Sequence, residues 1–165
     1  MRFAVGFQGA FAKYKVTSVI MKVAIGCDHA AFSFKEEIKA YLTEKGHEVV
    51  DKGCYSPERA DYPDHGIAVG EAVANGECER GVVICGSGIG ISIAANKVKG
   101  VRCALCSEPL SARLSRNHNN ANVLAMGARL IGLEMGKAIV DAWFEAEFEG
   151  GRHVGRLEKI SAYEK

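Results

Sequence analysis

From Met21 onward, the chain alternates short apolar runs with longer stretches in which apolar residues recur every three or four positions. Short runs rich in branched residues are typical of buried strands, and the periodic stretches are typical of helices that bury one face. The predicted strands are residues 22–26, 47–51, 81–85, 101–106 and 123–126. Their alternation with helices predicts a single doubly wound, Rossmann-like α/β domain, with a five-stranded parallel sheet covered by helices on both faces.

Residues with capping and turn preferences predict where the helices begin. Ser33 is a plausible N-cap of the first helix, and either Ser107 or Glu108 can cap the fourth. Residues 52–66 carry turn formers and charges with little periodicity, so we expect a long surface loop there that leads into the second helix. A last helix is predicted over residues 152–164.

A glycine-rich turn follows the third predicted strand. The apolar run ends at Cys85, and glycines then occupy positions 86, 88 and 90 before a helical pattern resumes. Such a turn leaves backbone N–H groups free to bind an oxyanion or a phosphate at the start of a helix. A cysteine at that place is favoured as a thiolate, which can act as a base or a nucleophile. A tight turn without a ligand is the alternative, and the dinucleotide-binding fingerprint is incomplete because Ile91 stands where its third glycine belongs.

Polar residues follow three of the predicted strands at their carboxyl ends. Asp28 and His29 come after the first strand, the glycine turn after the third, and Ser107 and Glu108 after the fourth. In a doubly wound sheet these ends meet at one edge, where ligands bind. His29 is one candidate base for Cys85, and His118, in a strongly polar segment, is another unless it is only an exposed helix end.

Composition narrows the possible partners. Lys and Arg number 21 against 20 Asp and Glu, so the chain has no basic field for nucleic acid or anionic membranes. No apolar run approaches the roughly 18 residues of a membrane span. The six cysteines include one C-x-x-C pair, Cys103 and Cys106, but no second pair that would complete a zinc site. We expect free thiols, a cytoplasmic location, small-molecule ligands and no bound metal.

The first twenty residues differ from the rest of the chain. They contain no acidic residue and are interrupted by Gly6 and Gly9, and Met21 stands directly before a strong strand. A targeting segment is conceivable, but an added or misassigned start fits the pattern better. We therefore treat residues 1–20 as an extension of uncertain status and residues 21–165 as the domain.

Several motifs, taken together, resemble one known family. They are Gly26-Cys27-Asp28-His29, Asp61-Tyr62-Pro63, residues 84–97, Ser107-Glu108-Pro109, Arg116-Asn117-His118-Asn119 and Glu149-Gly150-Gly151-Arg152-His153. The family is that of ribose-5-phosphate isomerase B, to which allose-6-phosphate and galactose-6-phosphate isomerases also belong. The resemblance runs from Met21 to about Ala162.

The resemblance implies an aldose-ketose isomerase that interconverts ribose 5-phosphate and ribulose 5-phosphate through an enediolate, without a metal or other cofactor. It implies a homodimer or a dimer of dimers whose active sites span two subunits. By this resemblance, Cys85 is the base that moves the proton, His118 opens the sugar ring, and Ser87 keeps the hydroxyl of a family threonine. The implied substrate-binding residues are Asp28, His29, Gly86, Gly88, Ile89, Gly90, Asn119, Arg129, Arg152 and Arg156.

Within that set, the N–H groups of the glycine turn correspond to an anion hole for the enediolate, and Arg129, Arg152 and Arg156 correspond to the phosphate site. Two alternatives stay open from the sequence. One is isomerisation of a six-carbon sugar phosphate on the same residues. The other is a nucleotide-binding module that uses the glycine turn without catalysis.

Overall fold

Five parallel strands form the centre of the molecule in a computed structural model that describes residues 19–164. The strand order is β2-β1-β3-β5-β4. The strands are β1 (Lys22–Cys27), β2 (Glu48–Asp51), β3 (Arg80–Cys85), β4 (Cys103–Leu105) and β5 (Val123–Gly127). All four pairings are parallel, so the predicted sheet is confirmed. The expectation for the amino-terminal extension falls almost entirely outside the described residues.

Six α-helices cover the sheet, together with short 3₁₀ turns at His29–Ala31 and Gly151–His153. The helices are α1 (Phe32–Glu44), α2 (Tyr62–Ala74), α3 (Ile89–Ala95), α4 (Pro109–Asn119), α5 (Leu133–Glu145) and α6 (Val154–Ser161). One apolar cluster joins α1, α4 and α5 to one face of the sheet, and a second joins α2 and α3 to the other. No helix among the described residues is long and apolar enough to cross a membrane.

The central strands are buried on both faces, which explains their nearly continuous apolar sequences. In β3, Val82 and Ile84 belong to the cluster under α1, α4 and α5, whereas Val83 and Cys85 belong to the one under α2 and α3. The pleat therefore aims the last side chain of the strand at the face that carries the glycine turn and α3. All six cysteines are free thiols, as expected.

Two helix starts differ from the prediction. Ser33 is not an N-cap, because the chain enters α1 through a 3₁₀ turn in which the Asp28 carboxylate accepts a hydrogen bond from Ala31 N, at 3.2 Å. Ser33 then lies inside the helix. The last helix begins at Val154 and not at residue 152, because the 3₁₀ turn and two positive-φ glycines precede it. At α4, Glu108 is the cap, accepting from Ser111 N at 2.6 Å.

Candidate active site

Cys85 ends β3 at the carboxyl edge of the sheet and is only 4% exposed. Gly88 N–H donates a hydrogen bond to its Sγ, with 3.0 Å between nitrogen and sulfur. The turn from Gly86 to Gly88 thus wraps around the sulfur before α3 begins at Ile89. This places a buried thiol directly below the first turn of a helix.

The turn needs glycine at position 88 for two reasons. Gly88 has φ +77°, a conformation that side chains disfavour, and a Cβ built there would lie 2.8 Å from the backbone carbon of Met126. Ser87 Oγ accepts a hydrogen bond from Ile89 N at 3.3 Å. Within residues 19–164, the N–H groups of Gly86, Ser87 and Gly90 donate to no backbone or side-chain acceptor. These donors are available to an anion.

Arg129 lies beside the same turn. Its backbone N–H donates to the Gly86 carbonyl at 3.0 Å, and its side chain passes over Gly86, so that a Cβ built there would lie 3.4 Å from Arg129 Cδ. Because Arg129 follows β5, the neighbour of β3, the sheet itself brings the Arg129 side chain to Gly86, the residue after Cys85. An exposed guanidinium and free N–H groups make this edge attractive to anions.

Asp28 and His29 complete this edge from β1. The backbone N–H of Asp28 donates to the carbonyl of Ile84, at 3.2 Å, which places the end of β1 against the end of β3. His29 Nδ1 lies 2.9 Å from the carbonyl oxygen of Ala60, so the long loop after β2 holds the imidazole. The predicted convergence of strand ends is confirmed for these residues.

Tyr62 is a neighbour of the turn that sequence reasoning did not select. A Cβ built on Gly90 would lie 2.7 Å from the Tyr62 ring, so the ring packs directly on that glycine. Tyr62 is the first residue of α2 and is 41% exposed, which leaves much of the ring facing outward. The sequence signal that could have identified Tyr62 as a candidate is its position at the end of a long polar loop, just before a proline.

His118 and Asn119 lie in a second cluster at the carboxyl end of α4. The His118 ring stacks on His153, with ring centroids 4.5 Å apart and an interplanar angle of 13°. Glu149 Oε2 lies 3.9 Å from His118 Nε2 and 3.8 Å from His153 Nε2. Arg152 belongs to the adjacent 3₁₀ turn.

Burial and the charged groups around this cluster change the pKa of His153. Burial lowers the pKa of the His153 imidazole, and the positive charges of His118, Arg152 and Arg156 lower it further, with Glu149 opposing them. These effects together favour the neutral form of His153. His153 and Glu149 are members of the cluster that sequence reasoning left without a role, although both stand in the quoted motif around Arg152.

Within one chain, the two clusters lie at opposite edges of the sheet. α4 starts after the carboxyl end of β4 and runs back to the amino edge, where the Asn122 carbonyl accepts from Gly81 N at 2.9 Å. From Gly81 to Cys85 the strand rises about 13 Å. Cys85, Asp28, His29 and Arg129 are thus at one edge, and His118, Asn119, Arg152 and Arg156 are at the other.

Comparison with known proteins identifies the fold family. The family model described as Ribose/Galactose Isomerase matches residues 23–160. The chain belongs to the ribose/galactose isomerase family. The fold class and the enzyme class predicted from the sequence are therefore confirmed.

Relatives within the ribose/galactose isomerase family match over nearly their whole length. Ribose-5-phosphate isomerase B of Escherichia coli (strain K12) is 58% identical over 144 residues, covering 87% of this chain and 97% of the relative. D-erythrulose-4-phosphate isomerase of Pectobacterium atrosepticum is 46% identical, covering 88% of this chain and 96% of the relative. A solved structure of Clostridium thermocellum ribose-5-phosphate isomerase B superposes with a TM-score of 0.86 at 53% identity, covering 87% of this chain and 97% of that one.

One group of side chains in this isomerase has the spacing of a metal site: His118, Glu149 and His153 offer ligand atoms within 4.8 Å of one another. Imidazole lone pairs lie in the ring plane, and an ion must approach each nitrogen to about 2.0–2.1 Å. The two rings are stacked nearly parallel, so their lone pairs do not converge on one point. We assign no metal to this cluster.

Proposed function

We propose that the chain interconverts ribose 5-phosphate and ribulose 5-phosphate by an aldose-ketose isomerisation through an enediolate. The observation that carries the proposal is the buried Cys85 thiol, held by Gly88 N–H in a turn whose Gly86, Ser87 and Gly90 N–H groups have no acceptor among residues 19–164. Such chemistry needs a base within hydrogen-bond reach of a C–H next to a carbonyl, and donors aimed at the oxygen that becomes negative.

In the proposed mechanism, the Cys85 thiolate removes a proton from C2 of the open-chain aldose and returns it to C1, while the hydroxyl proton of O2 passes to O1. The N–H groups of the turn, from Gly86 to Gly90, stabilise the enediolate oxygen as charge develops on it. Ser87 supports the turn through its hydrogen bond with Ile89 N. His118 acts earlier, as the acid that opens the furanose ring, a step that is needed because the cyclic sugar has no acidic C–H. The reaction requires no metal and no other cofactor.

We further propose that each active site is built from two copies of the chain. Cys85, Asp28, His29 and Arg129 would come from one copy, and the second would supply the groups at its amino edge: His118, Asn119, Arg152 and Arg156. The separation of the two groups within one chain supports this arrangement. So does the apolar surface of α3 and α4, where Ile89, Ile93 and Leu110 are between 52% and 62% exposed. A homodimer or a dimer of dimers satisfies both observations.

Subunit complementation tests this arrangement. Cys85→Ala and His118→Asn are each expected to abolish isomerisation while leaving the circular dichroism spectrum and the oligomeric state unchanged. When the two variants are unfolded and refolded together, half of the dimers are mixed, and each mixed dimer contains one site with both residues intact. Activity should return to about a quarter of the wild-type value. If the site lay within one chain, every site would carry a defect and the mixture would stay inactive.

Substrate choice among sugar phosphates is tested by initial rates on ribose 5-phosphate, allose 6-phosphate, galactose 6-phosphate and D-erythrulose 4-phosphate, with EDTA present throughout. We expect the highest kcat/KM on ribose 5-phosphate, because the E. coli ribose-5-phosphate isomerase B is 58% identical whereas the D-erythrulose-4-phosphate isomerase is 46% identical. Loss of activity in EDTA would overturn the metal-free mechanism. We place the enzyme in the cytoplasm, where six free thiols stay reduced.

A nucleotide-binding module without catalysis makes a different prediction. In that case AMP or NAD would raise the melting temperature more than ribose 5-phosphate does, and Cys85→Ala would leave this stabilisation intact. Under the isomerase proposal, ribose 5-phosphate gives the larger stabilisation.

A further inference from the structure

A cavity opens at the amino edge of the sheet, far from Cys85. Its volume is about 540 Å³, and Met21, Arg80 and Arg116 are among the residues that line it. Arg80 is the first residue of β3 and Cys85 is the last. A strand of that length rises about 16 Å, so this cavity is separate from the thiol and its glycine turn.

The two arginines of the cavity lack acidic partners. Arg116 is only 4% exposed, and its Nη1 donates to Asn120 Oδ1 at 2.8 Å and to the Ala121 carbonyl at 2.6 Å, but its buried Nε has no acceptor. Within the described part of the chain, the Arg80 guanidinium donates only to the backbone carbonyl of Glu79, at 3.1 Å. Among residues 19–164, no carboxylate forms an ion pair with either guanidinium.

Both guanidiniums carry their charge at neutral pH. Burial lowers the pKa of Arg116 to about 10, and repulsion from Arg80 and Arg102 contributes to that shift. Burial also lowers the pKa of Arg80. Both cations contact the indole of Trp143, whose ring lies 5.9 Å from Arg80 Cζ and 5.7 Å from Arg116 Cζ. Cation–π contacts offset only part of the cost of burying a charge.

The described acidic residues around the cavity do not neutralise the charges of Arg80 and Arg116. Asp141 already pairs with Lys45, at 2.9 Å between Nζ and Oδ1. Glu145 and Glu147 line the cavity but are exposed to solvent and form no ion pair with the arginines. The 18 residues that precede Val19 contain neither Asp nor Glu, so that segment has no carboxylate side chain to offer.

We propose that this cavity binds a phosphate monoester with an apolar body, the phosphate lying between Arg80 and Arg116. Two guanidiniums match the charge of a phosphate dianion, and the tetrahedral oxygens can accept from both sides at once. The remaining wall includes the apolar side chains of Leu42, Phe144 and Phe148, which suit an aromatic or aliphatic body. The volume is within the usual range for small-molecule sites.

Trp143 makes the proposal directly measurable because it is the only tryptophan of the chain. Phenyl phosphate is the probe, and intrinsic fluorescence is the signal. We expect a saturable change with the wild-type protein, and binding at least about tenfold weaker in Arg80→Gln, which loses a charge-assisted contact. Lys45→Gln is the matched control, since it removes a cation of the same cavity that already has a partner, and it should bind within about twofold of wild type.

Further measurements test which parts of the ligand are recognised and where on the protein it binds. Inorganic phosphate should bind more weakly than phenyl phosphate because it lacks the apolar body, and benzoate should bind more weakly because it carries one charge. Arg80→Lys should recover part of the affinity. Binding of equal strength in Arg80→Gln and wild type, or tighter binding of benzoate than of phenyl phosphate, overturns the proposal. A response lost in Arg156→Gln but retained in Arg80→Gln would also overturn it, since the ligand would then occupy the proposed sugar-phosphate site.

Discussion

Replacing Gly88 by alanine tests whether the glycine turn is fixed by the backbone that it touches. Gly88 has φ +77°, and an added Cβ would lie 2.8 Å from Met126 C and 2.9 Å from Met126 O, near the carboxyl end of β5. The Leu105 side chain, 2.5 Å away, can rotate, but a strand backbone buried on both faces cannot retreat. In Gly88→Ala, steric strain against Met126 therefore adds to the free-energy cost of placing alanine at a positive φ.

Gly100 provides a matched control. It has a similar positive φ of +85°, but an added Cβ would meet no atom within 4 Å. Gly100→Ala carries the left-handed penalty alone, about 1 kcal/mol. Gly88→Ala carries that penalty and an overpacking cost of about 2 kcal/mol, for a total of about 3 kcal/mol.

Urea unfolding followed by far-ultraviolet circular dichroism measures both variants. We expect the free energy of unfolding to fall about 2 kcal/mol further in Gly88→Ala than in Gly100→Ala. Isomerase activity should fall with it only at position 88, because Gly88 N–H holds Cys85 Sγ. Equal stabilities for the two variants would refute the packing argument. Full activity in a folded Gly88→Ala protein would refute the link between the turn and the thiol.

Three further changes probe interactions outside the turn. Asp51→Asn should lower the free energy of unfolding by about 2 kcal/mol in urea titrations, because it removes one of the two carboxylates, Asp51 and Glu36, that lie 2.7 Å from the buried ammonium of Lys35. Burial lowers the pKa of His47 in the folded protein, so the unfolded chain binds a proton on this imidazole more readily than the folded chain does. The free energy of unfolding should therefore fall as pH drops below about 6.5. His47→Gln should flatten that fall between pH 7 and about 5. Glu108→Ala should cost about 1 kcal/mol in thermal or urea unfolding, because it removes the cap of α4, whereas Ser107→Ala should cost little.

The central strands β1, β3 and β5 were predictable because they are buried on both faces and read as nearly uninterrupted apolar runs. The start of α1 was not, since Asp28 caps a 3₁₀ turn that precedes the helix, and α1 itself begins without a side-chain cap. The packing of Tyr62 on Gly90 depends on how a long loop returns to the sheet, which local sequence does not specify. The stack of His118 on His153 joins two segments that no periodicity links.

The separation of Cys85 from His118 could have been deduced from the predicted topology. In a doubly wound domain, each helix runs antiparallel to the strands, so a residue at a helix carboxyl end lies at the opposite edge from one at a strand carboxyl end. Cys85 ends a strand and His118 lies near the end of a helix. A reaction that uses both needs a second copy, turned so that its amino edge meets the carboxyl edge of the first. Assembly is then a condition of the proposed activity, because the fold of a single chain keeps the base and the acid apart.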